Sequence, residues 1–270
     1  MIRSLVALVA GLVALGALAV TLPVAWVAVN VSDRDGYVAF TAPFAEDEEL
    51  RTALREGVAD TVVAEADLGF AEQALRDVAL VAVDRILQDP GFPEAWERTQ
   101  AISHDATFAG GEQQRVVLDI APIVELVVAP VGDQVGAQLP TPETVIVPIT
   151  TEAEPETIAA VADAPSRALL GAAVLVGASL LCWVVARRTS TAFGLWGVGV
   201  AAVSGGLMLA TGRAVPALLE ARPAETALAT TMRDLLVARA TASFDDWLLL
   251  AVAVGAAAAL IGLGARIVAR

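Results

Sequence analysis

The run LVALVAGLVALGALAVTLPVAWVAV, from Leu5 to Val29, carries no charged residue. About 20 apolar residues in a helix cross the hydrocarbon core of a bilayer. Only helices and closed barrels satisfy their backbone groups there, and a continuous apolar run reads as a helix rather than an alternating barrel strand. Three later runs repeat the pattern: Ala168 to Ala186, Ala192 to Thr211 and Trp247 to Ala265 are also free of charge. The sequence therefore predicts a mainly α membrane protein with four transmembrane helices, at 1–29, 166–187, 188–212 and 246–270.

What lies between the first and second runs is a different material. Residues 30–165 hold 26 of the 31 acidic residues against seven arginines, a net charge of −19, and the rest of the chain nets +5. The overall charge of −14 excludes a basic nucleic-acid surface. Hydrophobic residues reach 57% and mean hydropathy is +0.68, above ordinary soluble usage. The chain has no lysine and is rich in alanine and valine, which points to a GC-rich bacterial genome.

The first run resembles a signal peptide at its start, with Arg3 before it and Ala17-Leu18-Ala19 as a cleavage-like triplet. Its length exceeds the usual hydrophobic region of about 7 to 15 residues, so it reads as an uncleaved anchor with Trp26 at the outer interface. Arginines near the helix ends set orientation. Arg3, the pair Arg187 and Arg188, and Arg266 with Arg270 fall on one side, expected to be cytoplasmic. The acidic domain, 30–165, and the later loop, 213–245, fall on the other. The only cysteine, Cys182, lies inside the second run, so the acidic domain must hold together through its core alone.

Within that domain, Thr41-Ala42-Pro43-Phe44 predicts a helix entry, and Glu46 to Glu49 suit the positive end of a helix dipole. Leu50, Leu54 and Val58 give an apolar stripe at helical spacing. A second helix is expected from about Ala71 to Gln88 and a third from Pro93 to Gly110. Arg115 to Ile120 and Thr144 to Ile149 are short β-like runs able to pair as a two-stranded ribbon, with Pro148 placing its strand at an edge. Ile123 to Val135 reads as a helix broken by Pro130, and Glu156 to Ala164 as a last helix. Ala224 to Ala242 reads as an amphipathic helix with Leu228, Met232, Leu235 and Leu236 on one face. It either lies on the membrane surface or docks on the acidic domain, and docking is preferred because its arginines can face those acids. In the third run, Gly194, Gly197, Gly199, Gly205 and Gly206 suggest close helix packing.

Candidate chemistry is thin. His104, the only histidine, has no partner at catalytic or metal-ligand spacing and reads as structural. Asp33-Arg34-Asp35-Gly36 faintly suggests a calcium loop, but the twelfth position, which needs Glu, is Phe44; a helix-entry turn explains it better. Arg213 reads as an interfacial anchor, or else as a partner for an acid of the outer domain or a lipid phosphate. Nothing in the sequence implies a cofactor, a metal site or an enzyme.

Several phrases in order resemble a group of uncharacterised actinobacterial integral membrane proteins with one helix, an extracytoplasmic domain and three more helices. They are Ser32-Asp33-Arg34-Asp35-Gly36-Tyr37-Val38, Ala42-Pro43-Phe44-Ala45, Phe92 with Trp96 and His104, Val117-Leu118-Asp119-Ile120-Ala121-Pro122, and the pair Arg187-Arg188. The resemblance implies that Tyr37 and Pro43 open the outer domain, and that a Trp96 and His104 helix and Asp119 follow. Phe44 stands where similar proteins have Leu, and the arginine tract here is only two residues. The likeness carries architecture and no activity. The expected function is a non-enzymatic plasma-membrane protein whose outer domain binds another envelope protein as an accessory or scaffold subunit. The alternative is a lipid or small-solute transport component.

Overall fold

The computed structural model describes residues 2–66, 72–108, 116–136, 139–149, 155–220 and 226–268. Four of its helices are long and apolar enough to cross a membrane: Ile2–Ser32, Ala164–Val185, Thr189–Arg213 and Ala227–Ile267. The chain divides into two compact units, one of 1–32, 161–220 and 238–270, the other of 33–160 and 221–237.

In the apolar unit, α1 (Ile2–Val27) ends in a π-helical turn over Ala28–Ser32. It packs along α8 (Ala164–Val185). Gly11 lies beside Cys182 and Thr21 against Gly171, so the two helices run antiparallel. Trp26 is buried. Its Nε1 donates to Ser243 Oγ at 3.2 Å, and its ring meets Phe244 edge-on at 6.1 Å. The third long helix, α9 (Thr189–Glu220), continues past the expected end of its span. A Cβ added at Gly197 would stand 2.5 Å from Gly255 O and Ala259 N, and one at Gly262 would stand 2.6 Å from Gly194. Glycine thus lets α9 and α10 (Ala227–Val268) touch backbone to backbone. Gly205 and Gly206 do not share this role, since an added Cβ there meets nothing within 4 Å.

The acidic unit begins at Asp33, whose carboxylate accepts from Gly36 N at 2.8 Å and caps α2 (Arg34–Thr41). A 3-10 turn over Ala42–Glu46 follows, with Pro43 in its first turn. Asp47 then caps α3 (Glu48–Ala66), accepting from Leu50 N at 2.9 Å. Helix α4 spans Glu72–Leu87 and α5 spans Phe92–Phe108. Strand β1 (Val117–Asp119) pairs antiparallel with β2 (Ile146–Pro148), Leu118 opposite Val147. The flanking bonds run from Ile120 N to Val145 O and from Ile149 N to Val116 O, both 2.9 Å. The N–H that Pro148 lacks is not used in either.

Between the strands, α6 (Ala121–Val135) runs straight through Pro130, which was expected to break it. Its buried face is Ile123, Val124, Val127, Val128 and Val131, whereas Leu126 and Pro130 are exposed. The Leu126 carbonyl that Pro130 cannot serve therefore lies on the wet side, where the proline is tolerated. Helix α7 (Pro155–Ala162) completes the order.

One apolar core unites α3 to α6 and β1, with Leu50, Leu54, Leu75, Trp96, Leu118 and Ile123 almost fully enclosed. The start of α10 belongs to the same core: Leu228, Ala229 and Met232 are buried, and Leu235 and Leu236 pack beside them. The amphipathic segment thus docks on the acidic unit through its apolar face. It is not a separate helix, because α10 continues unbroken to Val268.

Candidate functional site

Trp96 and Asp119 tie the acidic unit together from inside. Trp96 is fully buried, and its Nε1 donates to Thr41 O at 3.0 Å, fixing the end of α2 to α5. Asp119 is 4% exposed. Its Oδ1 accepts from Ala121 N at 3.0 Å and Val145 N at 2.9 Å, while its own N–H donates to Ser103 Oγ at 2.8 Å. One carboxylate thereby starts α6, aligns β2 and meets α5. Ser103 Oγ in turn donates to Thr99 O at 2.6 Å.

Tyr37 and His104 meet across α2 and α5. The His104 ring lies 5.4 Å from Tyr37 and 4.6 Å from Phe108 by centroids. His104 is buried, and its Nδ1 stands 3.7 Å from Asp105 Oδ1. Asp105 receives Arg34 Nε at 3.1 Å, which closes the latch from the solvent side. The apolar surroundings of Tyr37 push its phenol up to about 12. Pro43 stands apart, exposed on its 3-10 turn.

Around this core Arg51, Arg55 and Arg76 are already engaged. Arg55 pairs with Asp84 at 2.8 Å and with Glu56 at 3.0 Å. Arg76 pairs with Glu56 at 2.7 Å and Asp60 at 2.9 Å. Arg51 donates through Nε to Ala45 O at 2.8 Å. Glu46, Glu48 and Glu49 at the entry to α3 are exposed, and among the described residues their carboxylates form no ion pair. A recess of about 230 Å³ opens beside them, between α3 and α4.

Arg213 is exposed on α9 and donates through Nη1 to Leu209 O at 3.2 Å; among the described residues it pairs with no acid. The six candidates therefore divide into an interior set, Trp96 and Asp119, a latch of Tyr37 with His104, and two separate exposed residues.

The apolar unit holds a cavity; the transport alternative called for a groove between spans, but the sequence did not say where it would lie. An open cavity of about 630 Å³ lies among α1, α8 and α9, beside the link Ala186–Arg188. Leu8, Leu12 and Leu195 give it an apolar wall, and Arg187, Arg188 and Thr191 stand at one end. The Trp196 ring completes a cluster with Trp183 at 5.4 Å and Phe193 at 6.4 Å. The signal available beforehand was the arginine pair at the end of an uncharged run, which was read as a marker of orientation and of resemblance, not as part of a groove. No family model, curated protein or solved structure matches the chain.

Proposed function

We propose that the chain is a multi-pass plasma-membrane protein, with both ends cytoplasmic and residues 30–165 outside, whose acidic unit docks a basic surface of another envelope protein. In this reading it is a non-enzymatic accessory or scaffold subunit. The observation that carries it is the exposed carboxylate group at Glu46, Glu48 and Glu49. It stands free on a unit whose arginines are largely committed to internal pairs. Uncompensated charge on a rigid surface steers and selects a complementary partner. The likeness to four-helix actinobacterial membrane proteins supports the layout and adds no activity.

The test is crosslinking and affinity purification from native membranes, comparing the natural chain with an E46Q/E48Q/E49Q variant. The expected result is a reproducible basic partner that is lost from the variant. It is also released near 1 M salt, where charge interactions reach only about 3 Å. No reproducible partner, or one held equally by the neutralised variant, contradicts the reading.

A transport role for lipid or a small solute is the second reading. It is favoured by the open cavity among α1, α8 and α9.

A further inference from the structure

We propose that the cavity among α1, α8 and α9 is a binding groove for an anionic phospholipid of the surrounding bilayer. The proposal is independent of the partner-binding reading of the acidic unit. It assigns a structural lipid and does not require transport.

The lining has two chemistries at opposite ends. Leu8, Leu12 and Leu195 are 60%, 61% and 67% exposed, so the wall they form is open rather than filled by the protein's own core. In a membrane-spanning unit an acyl chain is the apolar partner at hand. At the other end Arg187 and Arg188 are exposed, and among the described residues neither forms an ion pair. Among the described residues, no acidic residue lines the cavity. Two adjacent guanidinium groups are well matched to a phosphate, which accepts paired N–H donors.

Two further polar atoms lie in the lining. Thr191 Oγ1 and Trp196 Nε1 are buried, and among the described residues neither has a hydrogen-bond partner. A buried hydroxyl or indole N–H without a partner is costly. Both atoms are closed to solvent as the side chains stand, so a headgroup oxygen would reach them only after a side-chain rotation. Thr191 also sits in the first turn of α9, where backbone N–H groups point outward and favour an anion. A free phosphate would satisfy the arginines but leave the leucine wall uncovered. A zwitterionic lipid would cover the wall but bring its own cation to the arginines. Only an anionic amphiphile matches both ends.

The experiment places the full-length protein in bilayers of equal phosphatidylglycerol and phosphatidylcholine. It is then recovered in mild detergent, and the co-purifying lipid is measured by mass spectrometry. The natural chain should retain phosphatidylglycerol preferentially. R187Q/R188Q should lower that preference by about fivefold per arginine removed, and R187K/R188K should restore much of it. L12W, at an exposed position, should fill the groove and also reduce retention, with the arginines intact. Thermal melting of each variant checks that the helices remain assembled. A variant that does not assemble is replaced by L8W for the wall or by R188Q alone for the charge. Equal retention of the two lipids by the natural chain overturns the proposal. So does retention that is lost with the arginines but unchanged in L12W, because that result describes surface charge and not a groove.

Discussion

Tyr37 is the only tyrosine in the chain, so its ionisation can be followed without interference from another phenol. Burial raises it from 10.0 to about 12. Below pH 10 the phenol is neutral in both folded and unfolded chains and adds no pH dependence. Between pH 10 and about 12 the unfolded chain ionises first, so stability falls as pH rises, by on the order of 2 kcal/mol across the window. Phenolate absorbance of the folded protein should therefore titrate near 12 and return to about 10 in denaturant. A folded-state midpoint near 10 would mean that the latch with His104 is open. The burial of His104 between Tyr37 and Phe108 was not legible, because nothing in the local sequence pairs it with a tyrosine 67 positions away. The role of Asp119 was not legible. Its acceptor contacts reach Val145, 26 positions away, and a local pattern contains no such information. The same holds for the bond from Trp96 to Thr41, across 55 positions.

At the scale of elements, apolar periodicity located α4 and α5 to within a few residues, because each buries one regular face, and short β-branched runs located both strands. The helix entry read at Thr41 to Phe44 is instead a 3-10 turn, and α3 starts at Glu48. Pro130 was misread because a proline rule applied without knowledge of which face is wet cannot distinguish a break from a tolerated exposed site. The helix seam was half visible. Gly194 and Gly197 were identified as packing residues, but their partners Gly255 and Gly262 lie in another run, and only the fold pairs them. Gly197→Leu should push α9 off α10, since even a Cβ at that position would stand 2.5 Å from backbone atoms. The expected cost is about 1–3 kcal/mol, read as a lowered thermal midpoint in detergent. Gly205→Leu is the control. It should leave the midpoint unchanged, because no neighbour lies within 4 Å of an added Cβ there. Equal losses in the two variants would show that the seam is not where α9 is held.

At the scale of the molecule, the charge partition is the organising fact. Uncharged runs form the long apolar helices, and the acids coat a unit with its own core. The one departure is that the acidic unit is not a single stretch of sequence. It also takes in residues 221–237, because the apolar face of early α10 completes its core. An amphipathic pattern announces that a helix docks; whether it ends before the next apolar run is decided by residues with no breaker among them. The place of the cavity beside Arg187 and Arg188 was not legible in sequence, since the lining of a groove is a property of three helices at once.

The account depends most on which side of the membrane the acidic unit occupies. Cys182 is the only native thiol and is buried, so a C182S background accepts single reporters. E72C places a thiol on the exposed surface of the acidic unit, and R188C places one in the link between α8 and α9. Intact cells are treated with a membrane-impermeant maleimide, before and after permeabilisation. The account predicts that E72C is labelled in intact cells and R188C only after permeabilisation. Labelling of R188C in intact cells, with E72C protected, would contradict it.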